Sequence, residues 1–534
     1  MRIGLVLYLL LGAVVARAEE LRAIIDREIV AGYESRKLTP SPLSSDAEFL
    51  RRVSLDLTGV IPTYSEAAAF LDDASPDKRG RLIERLLADP KFARHQADLW
   101  DVILFSRNPP GFDADKREGI QTWLQKQFAE NVPYDRWVRT LLKAEGNSVD
   151  DGPPLYYVQY RNQPEDMNEA VTQTFLGVQL QCARCHDHPF ETWKQVDFYG
   201  MAAFLARVQI VKVGSKDNLS KYVVAEKSSG DILFTGPVKD TQPGKKGDPV
   251  APKFLIGDSL TEPPLPEGFK EVKFEDNKQP PPPQFSRKDQ LADWITRPDN
   301  PYFARAIANR IWAQFMGRGL VHPVDNLSEA YAPSHPALLA ALAQELTAKQ
   351  FDLKWFIREL VSSDTYQRSS RGNSDAAMPE GHEYARHRPL SAEELADSWR
   401  IATWWNETEQ AKSKEGGNRF HPLGRDYMLR YFGTPNTGAG DFQGGLQEQL
   451  FLNNGMGNIL GDSKGSLLNW LRTTDEPMEA RVERMFLSVL TRRPAPEETA
   501  KIVEFLDLET KKKDARWPDV LWALATSGEF RFNH

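Results

Sequence analysis

The two cysteines of this 534-residue chain stand three positions apart in QCARCHDHPF, residues 181–190, and His186 follows the second directly. Cys-x-x-Cys-His is the spacing of covalent c-type haem attachment. Two thiols one helical turn apart can each close a thioether on a haem vinyl group, and the adjacent imidazole can turn to the iron as an axial ligand. On this reading Cys182 and Cys185 tether haem c and His186 is its proximal ligand. Met201, Met167 and His188 are the candidates for the sixth position, where a methionine raises the potential and a second histidine lowers it. Both methionines also fall on apolar helical faces, where packing explains them equally well. His188 is too close in sequence to His186 to reach the opposite face of the same haem easily, and it reads also as a hydrogen-bonding or surface histidine before Pro189.

Two other chemistries share the signature. In an oxidising compartment the pair can close as a small strained disulfide. Cys182, Cys185, His186 and His188 also supply four ligands within seven residues, the inventory of a tetrahedral zinc ion, although structural zinc sites draw ligands from two separated clusters. Accident is a poor explanation, because the motif uses every cysteine present and the chain has only nine histidines.

The N-terminus bears on the choice. MRIGLVLYLLLGAVVARAEE has Arg2, an apolar run from Ile3 to Val15, and Ala16-Arg17-Ala18 as a small-x-small cleavage site. This is the pattern of a secretory signal peptide over residues 1–18 and predicts a periplasmic or secreted protein. No later stretch is long and apolar enough to span a bilayer. Thioether attachment takes place outside the cytoplasm, so the leader and the motif are independent and consistent. With 67 Lys+Arg against 75 Asp+Glu the formal charge is −8. That balance argues against a nucleic-acid partner, which selects for a basic face.

The elements that must hold the motif are helical. Length predicts several domains, and 41% hydrophobic and 10% aromatic residues are enough to build cores. The fold class expected is mainly α: two helical domains separated by a small β-rich module. The first spans 19–206. In it SSDAEFLRRVSLDLTG carries an N-cap signal, apolar residues at helical spacing and Gly59 as a stop. Trp100, Trp123 and Trp137 are expected to pack helices together. EDMNEAVTQTFLGVQL puts Met167, Val171, Phe175 and Val178 on one face and leads into the motif; FYGMAAFLARV after it reads as a short helix.

Over 207–276 the texture changes to short β-rich runs, VQIVKV, KYVVAE and DILFTGPV, read as a hairpin-based sandwich. Residues 277–285 form a Pro-rich linker. Helices return over 286–534, with capping boxes at Ser286/Asp289 and Ser391/Glu394 and Ser334 as the expected cap of the helix in SHPALLAALAQEL. The last helices are placed near 478–490, 496–508 and 517–527. The glycine-rich loop at 433–445 follows no clear strand and lacks a Walker lysine, so it is not read as a phosphate cradle. No carboxylate pair stands out as a general acid and base.

Several segments carry a resemblance. LRRVSLDLTGVIPT, FLGVQLQCARCHDHPFETWKQVDFYGMAAFLARV and VAPKFLIGD resemble the planctomycete cytochrome-c-like domain of unknown function 1549. ARAIANRIWAQFMGRGLVHPVDNL, APSHPALLAALAQEL, SSDTYQRSS and RPLSAEELAD resemble its usual partner, domain of unknown function 1553. The Cys182–His188 block and Asn309-Arg310-x-Trp312 are the most specific parts. The resemblance implies a secreted, helical, cytochrome-associated protein linked to extracellular polysaccharide or sulfatase systems. Its biochemical activity is not settled by the family. Larger relatives add an N-terminal cytochrome c domain with its own motif, which leaves the Cys182–His186 block as the haem candidate here. Many relatives have cysteines where this chain has Thr434 to Phe442.

The reading that results is an exported c-type haem-binding protein, with electron transfer to a redox partner linked to envelope or polysaccharide metabolism. The alternative is a secreted polysaccharide-associated enzyme or binding component in which the block is a metal or disulfide site.

Overall fold

A computed structural model describes residues 19–107, 117–216, 219–235, 247–271, 280–372, 380–404, 446–454, 460, 464–507 and 516–534. The expected leader (1–18) and the glycine-rich loop (433–445) lie outside these residues. The architecture is mainly α, as the periodicities require, with sheets of two or three short strands.

The helix Leu21–Arg36 buries Leu21, Ile25, Ile29 and Tyr33, four residues apart each time, against the helices Pro336–Ala348 and Leu353–Ser362. Gly32 allows the close approach: a Cβ there would sit 2.4 Å from His335 Nε2. The helix Asp46–Thr58 begins at Ser45, whose hydroxyl accepts from the Glu48 amide, and stops at Gly59 in the left-handed region. It is buried on every face, including Arg51, Arg52 and Asp56. Trp137 meets Trp100 edge-on at 4.9 Å and Trp123 at 6.1 Å, so the tryptophans pack helices as expected.

Two apolar clusters result among the described residues. The larger runs from Leu21 through Leu205 and the strands to Leu291–Tyr366, so side chains from both expected helical domains share one interior. The smaller is built from residues between Leu390 and Phe530, joined by Leu55 and Ile61 from the start of the chain. The helix Asp46–Thr58 therefore serves both. Its closing helices Met478–Leu490, Pro496–Asp507 and Trp517–Thr526 fall where the sequence places them.

The β-rich stretch contains the hairpin Val208–Lys216/Leu219–Glu226, with a register shift between Lys212 and Gly214. The expected sandwich is not formed among the described residues. Instead Gly146–Asn147, far upstream, adds a third antiparallel strand beside Leu219–Glu226, and Ile232–Leu233 pairs with Pro249–Val250. Two residues are too few to register as a strand in a pattern of period two.

Caps are mostly as read. Ser391 and Glu394 form a full capping box. Ser286 accepts from the Asp289 amide, but its own hydroxyl donates to Glu226. The cap of Pro336–Ala348 is His335, not Ser334. Pro336 takes the first helical position, where its fixed φ is suited, and the Ser334 hydroxyl lies 3.1 Å from His335 Nδ1.

Candidate functional site

The motif occupies a single 3-10 turn, Gln181–Arg184, with Cys185 as its last cap. Side chains three apart eclipse in a 3-10 turn, so Cys182 and Cys185 leave the backbone on the same side. Both are free thiols and both are exposed. Ala183 between them is buried and anchors the turn to the large cluster. The helix Gln195–Ala202 holds it from behind: Gln195 Nε2 donates to the Arg184 carbonyl and the Gln195 amide to Asp187 Oδ1, each at 3.0 Å. The His188 amide donates to the Trp193 carbonyl at 2.8 Å, closing the loop. Arg184 pairs with Asp166 at 2.8 Å on the preceding helix.

The two histidines differ in what their rings can offer. His186 is exposed, and its Nδ1 lies 2.7 Å from the Asp187 carbonyl. A carbonyl only accepts, so Nδ1 carries the proton and the neutral ring keeps its lone pair on Nε2. A hydrogen bond of this kind is what fixes the tautomer of a metal-bound histidine. His188 Nδ1 accepts from the Phe190 amide at 3.3 Å. Its neutral ring therefore has the proton on Nε2 and no lone pair to spare. Phe190 itself is 82% exposed, which forgoes about 1.5–3 kcal/mol of burial for a ring of that size.

A family described as a protein of unknown function (DUF1549, short name PSCyt2) matches residues 24–210. A second, also described as a protein of unknown function (DUF1553, PSD1), matches residues 287–426. The two matches follow one another along the chain, the first in its N-terminal part and the second after residue 286. No curated protein and no solved structure matches it.

The DUF1549 domain thus carries the whole block. Within it Met167 and Met201 are both 0% exposed, packed in the large cluster. As placed, their sulfurs meet core side chains, while His186 stands in solvent. Replacing Met201 by alanine should cost about 2–5 kcal/mol, and by leucine under about 1.5 kcal/mol, read from urea midpoints. If Met201 serves packing alone, Met201→Leu leaves any haem spectrum unchanged. Among the described residues no group of three or more His, Cys, Asp or Glu side chains is gathered as a metal ion would need. His188 and the two thiols are not drawn together around one point.

Asn309-Arg310-x-Trp312, the specific block of the DUF1553 domain, is a brace. Asn309 Nδ2 donates to the carbonyls of Val321 and Val324, and its Oδ1 accepts from the Val321 amide, all at 2.9 Å. Arg310 donates to the Thr174 carbonyl at 3.2 Å, tying this helix to the segment that leads into the motif. Trp312 Nε1 donates to His382 Nε2 at 3.3 Å.

Sequence reasoning missed a second concentration of charge. The helices Pro90–Phe105 and Ala392–Ala402 face each other across a cavity of about 220 Å³ lined by ionisable side chains. Its signal was present as charges at helical spacing, but on two helices some three hundred residues apart.

Proposed function

We propose that the chain is an exported c-type haem-binding protein, with electron transfer as its activity. Cys182 and Cys185 hold the haem and His186 Nε2 is the proximal ligand. The observation that carries the reading is the state of the block: two free, exposed thiols on one side of a single turn, beside an exposed imidazole whose Nδ1 proton is already engaged. The exposed Phe190 ring gives an apolar macrocycle something to lie against. The short name PSCyt2 points the same way. When bound, haem supplies a one-electron couple at its iron. The chain's own residues tether it, orient His186 through the Asp187 carbonyl, and keep the turn rigid through Gln195. A role in envelope or polysaccharide metabolism rests on the family resemblance.

The test is expression in a host with cytochrome c maturation, followed by a haem stain after denaturing electrophoresis. Wild type should retain haem through denaturation. Cys182→Ser and Cys185→Ser together should lose it, and His186→Ala should keep covalent haem with an altered spectrum. Absence of covalent haem from a fully matured wild-type sample refutes the proposal. Metal analysis and thiol titration of that sample then separate a metal site from a disulfide.

A further inference from the structure

Three aromatic rings from separate elements meet around one arginine. Arg484, on the helix Met478–Leu490, places its Cζ over the Trp470 ring at 4.2 Å and over the Tyr64 ring at 4.6 Å. Tyr64 opens the helix Tyr64–Asp72, and Trp470 lies on Leu467–Thr473. Trp404, just past the helix Ala392–Ala402, touches both other rings, its centroid 6.5 Å from Tyr64 and 5.8 Å from Trp470. The Trp404 indole N–H donates to the Ser488 hydroxyl at 3.2 Å, one turn beyond Arg484. All four of these side chains are half-buried. The Trp404 backbone has φ 55°, in the left-handed region that a bulky residue keeps only where its surroundings over-determine it.

The rings do not complete the chemistry of the guanidinium. They attract the cation but are weak acceptors, and a guanidinium carries several N–H donors in a fixed fork. Among the described residues nothing accepts a hydrogen bond from Arg484 and no carboxylate pairs with it. Its neighbours are engaged differently. Arg481, one turn earlier, donates to the carbonyls of Leu471, Thr474 and Glu476. Arg493 holds Asp72 at 2.7 Å and Glu483 at 2.8 Å. Glu66 accepts from the Thr63 hydroxyl and pairs with Arg85 at 3.5 Å. Asp475, Glu476 and Glu479 are exposed. An arginine that served only to tie two helices would place its fork on a carbonyl or carboxylate, as Arg481 and Arg493 do. Arg484 instead presents a fork fixed by aromatic contact, and such a fork matches a carboxylate taken bidentately. The half-buried rings that border it favour a flat apolar body next to that carboxylate.

We infer that Arg484, with Tyr64, Trp404 and Trp470 around it, is a binding site for a small carboxylate carried on a flat apolar ring. The site goes beyond the haem reading: it shares no residue with the cysteine block and needs no metal.

Benzoate is the probe, with benzyl alcohol supplying the ring alone and inorganic phosphate an oxyanion without a ring. Titration calorimetry on the full chain should show saturable benzoate binding in the millimolar range. Benzyl alcohol and phosphate should each bind at least fivefold more weakly. Arg484→Lys keeps the charge and its attraction to the rings but removes the fork, so it should fold and weaken benzoate at least fivefold. Arg484→Gln should abolish saturable binding; circular dichroism checks the fold of both variants. No saturable benzoate binding, benzyl alcohol or phosphate binding as tightly as benzoate, or benzoate affinity unmoved in folded Arg484→Lys overturns the inference.

Discussion

Replacing Arg388 by methionine should destabilise the chain by about 3–5 kcal/mol, because it leaves two buried carboxylates without their cation. Arg388 holds Glu394 bidentately and reaches Asp56 at 3.1 Å. Asp56 also accepts from the Tyr366 hydroxyl at 2.8 Å and from Asn533 Nδ2 at 2.7 Å. Burial pushes the Asp56 carboxyl up against the pull of Arg388 and Tyr366. For Glu394 burial also pushes up, but the bidentate pair with Arg388 more than offsets it and the carboxyl lies below its ordinary value. This network joins the helix Asp46–Thr58, the strand pair Arg388–Pro389/Phe532–Asn533 and the helix Ala392–Ala402. Removing the carboxylates as well, in Asp56→Asn/Glu394→Gln/Arg388→Met, should recover a large part of the loss, since a neutral set has no uncompensated charge. Denaturant midpoints decide it. An Arg388→Met variant within about 0.5 kcal/mol of wild type, the range of ordinary surface changes, would show that the network contributes nothing.

The second large effect is expected in acid. His382 is fully enclosed against Trp312, with its carbonyl accepting from the Tyr33 hydroxyl at 2.7 Å. Burial, helped by His335, Arg386, Arg318 and Arg36, lowers its pKa to about 3. His335, 6.0 Å away, is lowered to about 4 by burial and Arg36, with Glu28 opposing. His534 is also lowered to about 4, by burial first and then Arg51. A depressed histidine pKa means that the unfolded chain takes up the proton first, near pH 6.5. Stability is therefore complete above that value and is lost as pH falls toward the folded pKa. For His382 alone the loss amounts to about 2 kcal/mol by pH 5. Buried Asp56, Asp101 and Glu226, all raised by burial, act with the opposite sign. The comparison that isolates His382 is wild type against His382→Gln. The variant starts less stable at pH 7.5, and the gap should close by about 2 kcal/mol on going to pH 5. Parallel curves would show that His382 does not titrate on unfolding.

The helices were largely readable because each carries its own signals. Ser45 with Gly59, and Ser391 with Glu394, bracket or open helices whose apolar residues repeat at the right spacing. The cysteine block could be picked out as a candidate site because its spacing and adjacency lie within ten residues. What local pattern could not convey is pairing at long range. The strand Gly146–Asn147 exists only because Val223 and Val224 receive it. The charged stripes at Lys91–Asp98 and Glu393–Arg400 look like ordinary solvent faces until the fold sets them opposite each other. The turn after Val171 widens into a π-helix over Thr172–Leu176 before Gly177, a change of pitch that leaves the same residues buried and so leaves no trace in the pattern.

The shared interior has a consequence for how such chains are inherited. The larger cluster takes side chains from both matched domains, and the segments between them lock at close quarters: the Leu327 amide donates to the Gly177 carbonyl at 2.7 Å, and a Cβ on Gly177 would press on Leu327 at 2.8 Å. A recombination event that parted the two domains at the proline run 280–283 would leave each with half an interior and a bare apolar wall. Insertion at the prolines 280–283 is expected to be tolerated, because they lie outside that interior; loss of either region is not. The two regions are therefore expected to fold as a single cooperative unit.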